Sequence, residues 1–379
     1  MRRCVGSEVS TSVLVMEKWD MSKVAKLTFS SRKLCGGRLT RCNDGNSTYI
    51  EQLEKEITQF HGAETAHIAN SGCVGNLAAY STIPLARDVI VYDELIHASI
   101  HDGLKNSVAR SQHSFRHNDV DSFSEVLLLV LKSEPQILNG TRLLIASIES
   151  VYSMDGDICP LQELIDTAKE ILPAQNTVFI IDEAYGTGIL GPKGSGLLCE
   201  LGLEKEVAIR IYTFPKALGS VGAAILVNYT VKMMLMNNAR ALMFTGVPSF
   251  PMLASIRAAY TLLKRGQTIE ARDEVPAIVA QIVPVWTHTG HSLCLTFHVN
   301  QAGFSGHPVI YPIVPKGQER VRLIFQPSRT DEEVESFADC ICAWVKMLEI
   351  GEENDRGRLP TTTQQAYAQM KAEKNASPQ

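Results

Sequence analysis

From about residue 65 to 228 the chain alternates short apolar runs with helical stretches. The clearest runs are Val89-Ile90-Val91, Leu143 to Ile148, Val178 to Ile181, Ile209 to Tyr212 and Ala223 to Val227. They are continuous rather than alternating, so each is expected to be covered on both faces. Such runs predict an α/β fold, a mostly parallel sheet with helices on both faces. Between two of them, Pro160 opens a helix with Leu161, Ile165 and Ala168 on one face. Upstream, Thr48 with Glu51 predicts a capping box, and Leu53, Ile57 and Phe60 continue at helical spacing.

The pattern changes after residue 230. Helices are predicted over Met233 to Leu242 and Met252 to Leu263, then a less regular stretch over 270–320. Val321 to Phe325 reads as a strand and Thr330 to Leu348 as a closing helix. The division expected is an irregular segment over 1–45, a large domain over 46–265, a small α+β C-terminal domain over 266–350 and a disordered, charged tail over 351–379. Cys35-Gly36-Gly37 and Asp44-Gly45-Asn46 are turn signals in the first segment.

Composition narrows the function. A chain of 379 residues can bury a large core. A net charge of −5 gives no electrostatic reason to expect nucleic acid or an anionic membrane. No apolar run reaches the length of a membrane span. Nine cysteines without a CxxC pair argue for a reducing compartment rather than a disulfide framework. Arg2 and Arg3 precede no apolar core of a secretory signal, and Ser377-Pro378-Gln379 is not a peroxisomal tail, so a cytoplasmic protein is expected.

The candidate chemistry lies at strand ends, where open parallel sheets bind ligands. Asp182 closes the run Val178 to Ile181, and Thr213 and Lys216 follow the run Ile209 to Tyr212. A lysine amine can condense with the aldehyde of pyridoxal phosphate, and a carboxylate can keep its pyridine nitrogen protonated. A carboxylate ending an apolar strand is costly to bury unless it meets such a cation. Ser71-Gly72-Cys73 opens a helix whose first N–H groups suit a phosphate, although an ordinary tight turn reads the same way. His97 follows the Val89 strand; its flat ring could stack on a cofactor or serve only as a hydrogen-bonded loop histidine. Ser153 could hydrogen-bond the cofactor's phenolic oxygen. Asp155-Gly156-Asp157 lacks EF-hand spacing, and His113 and His117 are not spaced as metal ligands, so no metal is expected.

Taken together these stretches are identified with a family. Asp44 to Ser47, Ser71-Gly72, Asp93 to Gly103, Phe115 to Asp119, Glu149 to Asp157, Asp182-Glu183-Ala184, Gly186 to Gly196, Lys216 to Gly219 and Arg320 to Leu323 resemble the α-oxoamine synthases. Within these pyridoxal phosphate enzymes the chain is most similar to the 8-amino-7-oxononanoate synthase branch and its fungal relatives. The resemblance implies a fold-type I, aminotransferase-like architecture. It implies that Lys216 carries the cofactor and moves the α-proton, Asp182 pairs with the ring nitrogen and His97 stacks on the ring. Gly72 and Cys73 would contact the cofactor through the backbone, Ser153 its phenolic oxygen and Thr213 its phosphate. Arg322 would hold a substrate carboxylate, a task suited to guanidinium. Thr245 of a neighbouring subunit would complete the phosphate site, which implies a homodimer with shared sites.

Four positions depart from that pattern. Tyr185 stands where the family has histidine, Pro215 where it has glycine before the lysine, Gly246 after Thr245 where it has a second threonine, and Ile313 where it has a substrate-contacting threonine. Tyr185 can still donate to a cofactor oxygen. The activity expected is condensation of alanine or another small amino acid with an acyl-CoA or carrier-protein thioester. Decarboxylation accompanies it, leaving an α-amino ketone, as in biotin synthesis. An aminotransferase on the same fold, or an inactive partner subunit, remains the competing expectation.

Overall fold

The computed structural model describes residues 40–41, 45–172, 174–269, 281–324 and 330–354, with residues 349–354 described by backbone alone. Most of the irregular segment over 1–45, Phe325 and the tail from 355 lie outside the described residues. The described residues divide into two units. The larger takes residues 40–152 and 157–269, and the smaller takes 153–156 and 281–354.

In the larger unit α1 (Thr48–Phe60) leads into β1 (Thr65–Ala69), α2 (Gly72–Thr82) and β2 (Val89–Asp93). Next come α3 (Ala98–Lys105), β3 (Ser111–Phe115), α4 (Val120–Ser133) and β4 (Leu144–Glu149). They are followed by α5 (Leu161–Ile171), β5 (Thr177–Asp182), β6 (Ile209–Thr213), β7 (Ala223–Val227), α6 (Tyr229–Asn238) and α7 (Phe250–Lys264). The seven strands form one sheet in the order β1-β7-β6-β5-β4-β2-β3. The strands from β3 to β6 run parallel, and β7 is antiparallel to both its neighbours.

Alternate residues of the central strands feed opposite cores. Leu144, Ala146 and Ile148 of β4 pack with Phe123, Leu127 and Val130 of α4 and with Leu161, Leu164 and Ile165 of α5. Ile145 joins Ile90, Ile180 and Ile211, together with Tyr80 of α2 and Ile100 of α3. All six residues of β4 are buried, which is why its sequence does not alternate. Each fully buried Leu or Ile contributes roughly 1.5–3 kcal/mol over its exposed state.

The large sheet adds two strands to those expected. β3 is an edge strand with alternating burial and the polar sequence SQHSF, so it lacks an apolar run. β1 is the opposite edge. The cap of α1 also differs from expectation. Ser47, not Thr48, has extended backbone angles and accepts from the Ile50 N–H, while Glu51 takes the Asn46 side chain instead of closing a capping box. The helix expected over Met233 to Leu242 is broken at Ala239, whose backbone is extended.

The smaller unit holds an antiparallel sheet of β8 (Ile282–Trp286), β10 (Arg320–Ile324) and β9 (His307–Val309), with β10 in the middle. α8 (His291–Gln301) and α9 (Asp331–Asn354) complete it. Leu295, Val299, Val321, Leu323 and Trp344 form its core. The stretch expected to be irregular therefore contains β8, α8 and β9. Pro284 inside β8 and the weakly segregated apolar positions of α8 hid them. α9 runs past Leu348, because a glutamate-rich end that reads as charged tail is also good helix sequence.

Candidate active site

β5 and β6 are neighbouring parallel strands, and their carboxyl ends carry Asp182 and Thr213. Asp182 is 4% exposed. Its Oδ1 accepts the Ala184 N–H at 2.9 Å, and its Oδ2 accepts from Asn76 Nδ2 at 2.8 Å. Asn76 sits on α2, so the carboxylate is tied to the helix that Ser71 starts. Ser71 caps that helix by accepting the Val74 N–H at 3.1 Å. The N–H groups of Gly72 and Cys73 in the first turn have no partner within the helix.

Gly72 lies against Thr213. A Cβ on Gly72 would come 2.6 Å from Thr213 Cγ2, so only glycine fits. The Thr213 hydroxyl is buried and has no hydrogen-bond partner among the described residues. A buried hydroxyl without a partner is costly. This one belongs to the strand end against which the glycine opening α2 packs.

Lys216 stands in the loop from β6 to antiparallel β7. The Phe214 N–H donates to the Gly222 carbonyl at 3.0 Å, and the Ser220 N–H to the Phe214 carbonyl at 3.0 Å, which closes the loop. Pro215 is exposed at its turn, and neither closing bond uses its missing N–H. The Lys216 ammonium lies 3.2 Å from the centroid of the Tyr185 ring. Tyr185 follows Asp182 by three residues, in the loop that Glu183 anchors by accepting the Leu197 and Leu198 N–H groups.

His97 caps α3. Its Nδ1 accepts the Ser99 N–H at 3.1 Å and lies 2.7 Å from the Ser99 hydroxyl. The residue as a whole is exposed. Partial burial and the Lys216 charge pull its imidazole below the ordinary range, against an opposing pull from Asp182. The His97 backbone N–H donates to the Glu149 carboxylate. Glu149 is the register partner of Asp182, and burial, then the Asp182 charge, pushes its carboxyl well above the ordinary range.

Sequence reasoning passed over four of these residues. Asn76, Ser99 and Glu149 support Asp182 and His97, and nothing in their local sequence assigns them that role. His117, discounted as a ligand, lies between Asp93 (2.9 Å) and Asp157 (2.6 Å). Burial opposes its charge, but the hydrogen bonds to Asp157 and Asp93 prevail and raise it to about 10. Its partners are far away in sequence, so no spacing signalled them. Among the described residues no cluster of His, Cys, Asp and Glu could hold a metal ion. No described helix is long and apolar enough to cross a membrane.

Ser153 and Arg322 both belong to the smaller unit, where Arg322 Nη1 donates to the Ser153 carbonyl at 3.0 Å. Thr245 donates to the Ala241 carbonyl at 2.6 Å, and the next residue's carbonyl takes the Asn70 amide at 2.9 Å. Thr245 lines a small recess with Arg41, His67 and Asn70.

A buried aspartate ending one strand, a lysine in the loop after its neighbour, and a glycine-led helix start packed on the threonine that ends that neighbour fit a pyridoxal phosphate enzyme of the α/β type. A model of the aminotransferase class I and II family matches residues 38–281, and the chain belongs to that family. The aminoacyl transferase sphA of Byssochlamys spectabilis is 41% identical over 370 residues, covering 88% of this chain and 79% of the relative. The 8-amino-7-oxononanoate synthase of Emericella nidulans is 38% identical over 333 residues, covering 82% and 81%. Among solved structures, the serine palmitoyltransferase of Sphingomonas wittichii aligns with a TM-score of 0.77 at 24% identity, over 88% of this chain and 86% of that one. The 8-amino-7-oxononanoate synthase of Francisella tularensis aligns at 0.66 and 22% identity, over 80% and 89%. At such identity the structures establish the fold. With the relatives, the chain is a pyridoxal phosphate-dependent acyltransferase of the α-oxoamine synthase type.

Proposed function

We propose that the protein condenses a small amino acid, alanine first among them, with an acyl thioester. In this reading the bond formed joins the α-carbon to the thioester carbonyl carbon. The thiol leaves, the carboxylate leaves as carbon dioxide, and a proton returns to the α-carbon. Bound pyridoxal phosphate supplies the electron sink that makes the α-carbon acidic. The chain's own residues hold and work on it. Asp182 keeps the proton on the ring nitrogen, Thr213 and the N–H groups of Gly72 and Cys73 hold the phosphate, and Tyr185 donates to a cofactor oxygen. Lys216 takes the α-proton, and Arg322 binds the substrate carboxylate.

The observation that carries the reading is the juxtaposition at the ends of β5 and β6. Asp182 is buried and tied to α2, the Thr213 hydroxyl is buried without a partner among the described residues, and Gly72 packs directly against the Thr213 side chain. The relatives support two finer assignments, since one is named for 8-amino-7-oxononanoate synthesis and another for aminoacyl transfer. We read Thr245 as serving a neighbouring subunit of a homodimer. We place the enzyme in the cytoplasm, in line with its nine cysteines and no CxxC pair.

The test mixes the cofactor-loaded protein with L-alanine, then with a series of acyl-CoA thioesters. The expected result is thiol release and carbon dioxide only when both substrates are present. Stoichiometric pyruvate from alanine alone, with no thiol from any thioester, would establish an aminotransferase instead.

A further inference from the structure

We propose that Asn76 and Ser99 are positioning residues that fix His97 as the neutral tautomer with its proton on Nε2. The argument runs through single hydrogens. Asp182 accepts the Ala184 N–H, and as a carboxylate it can only accept. The end of the Asn76 side chain facing it at 2.8 Å is therefore the NH2 group. That nitrogen has a second hydrogen, which goes to the Ser99 hydroxyl oxygen at 3.0 Å. The hydroxyl has one hydrogen of its own, and His97 Nδ1 lies 2.7 Å away. The Ser99 backbone N–H also points at Nδ1, at 3.1 Å. Two donors converge on one ring nitrogen, so that nitrogen carries no proton.

Asn76 is 1% exposed and Ser99 7% exposed, so water does not compete for the bonds Asn76 makes with Asp182 and Ser99. The charged groups acting on His97 are Asp182, Lys216 and Asp102, with Glu149 on its backbone N–H. None of them supplies an acceptor at Nδ1, which Ser99 occupies from two directions. The consequence is directional. The other ring nitrogen, Nε2, is then an N–H donor, and the carboxylate of Asp182 and the ring of His97 are set by one amide.

The inference rests on the functional reading only for what the ring does, not for its tautomer. It is tested on the protein purified with pyridoxal phosphate added, labelled with nitrogen-15 in its histidines. Long-range proton–nitrogen correlation near neutral pH distinguishes a protonated from a bare ring nitrogen. His97→Gln assigns the signal. The expected result is a bare Nδ1 and a protonated Nε2. In Ser99→Ala the His97 signals should move toward an average of both tautomers. Asn76→Asp removes the shared NH2 and sets a second acid beside Asp182, and should weaken cofactor binding about tenfold or more. A protonated Nδ1 in the unaltered protein, or His97 signals that Ser99→Ala leaves unmoved, overturns the proposal. If Asn76→Asp fails to fold, the Ser99→Ala spectrum alone decides. A bare Nδ1 in a protein that transfers no acyl group upholds the tautomer and counts against the functional reading instead.

Discussion

Gly72→Ala tests the contact on which the proposed phosphate cradle depends. The backbone at Gly72 is not in the left-handed region, so alanine meets no conformational penalty there. The penalty is steric. The new methyl would lie 2.6 Å from Thr213 Cγ2, against an ordinary separation of about 3.5–4.0 Å between carbon atoms. Thr213 ends a strand and is buried, so it cannot simply swing away. Overpacking of this kind costs about 1–3 kcal/mol. For a domain of this size that lowers Tm by roughly 2–4 °C per kcal/mol. The same displacement moves the Thr213 hydroxyl, so cofactor affinity should fall with stability. The decisive variant is the double one. Thr213→Ser removes Cγ2 and keeps the hydroxyl, and the next atom, Thr213 Cβ, stands at 3.4 Å, at the edge of ordinary contact. Gly72→Ala with Thr213→Ser should therefore recover most of the lost Tm and cofactor affinity, read by thermal unfolding and by titration with pyridoxal phosphate. A double variant as impaired as Gly72→Ala alone would refute the steric argument.

Lys216→Ala should abolish turnover and covalent attachment of the cofactor; added mass on the chain after borohydride reduction would show that another lysine carries it. Asp182→Asn should still bind cofactor but lose product formation, because an amide cannot hold the ring proton; near-normal turnover refutes its role. His117 is raised from its ordinary 6.5 to about 10, so its stabilisation is complete below about 6.5 and is lost as pH rises toward 10. The Tm deficit of His117→Gln should accordingly be largest in mild acid and shrink in alkali, and a deficit independent of pH would show that the charge of the ring does not matter.

Much of the large sheet was legible because its strands are buried on both sides. A six-residue run such as Leu144–Glu149 can hide nowhere else, and its end marks a ligand position. The edge strand Ser111–Phe115 was illegible for the same reason inverted, since half of it faces water. The positions of Asp182, Thr213 and Lys216 could be read because each follows an apolar run. Asn76 could not. Its partners Asp182 and Ser99 are distant in sequence, and a buried asparagine in a helix resembles any other polar residue until the fold brings an acid to it. Arg322 and Ser153 meet by the same long-range route.

The departures at Pro215 and Tyr185 bear on whether the chain is an enzyme or an inactive partner. A proline before the lysine would damage the loop if the loop needed that N–H. It does not, because the bonds that close it start from Phe214 and Ser220. Proline also narrows the conformations open to the unfolded loop, which favours the folded one. Tyr185 in turn places an aromatic face 3.2 Å from the Lys216 nitrogen, where it holds the side chain in position. An inactive subunit has no use for a lysine held in place, a buried aspartate tied to two elements, or a threonine hydroxyl buried without a partner among the described residues. The last two cost stability unless something binds there. The expected outcome is that Tyr185→Phe, which keeps the ring, retains cofactor uptake, whereas Tyr185→Ala, which removes it, slows uptake. Equal uptake by the two variants, followed by absorbance, would show that the face of the ring plays no part.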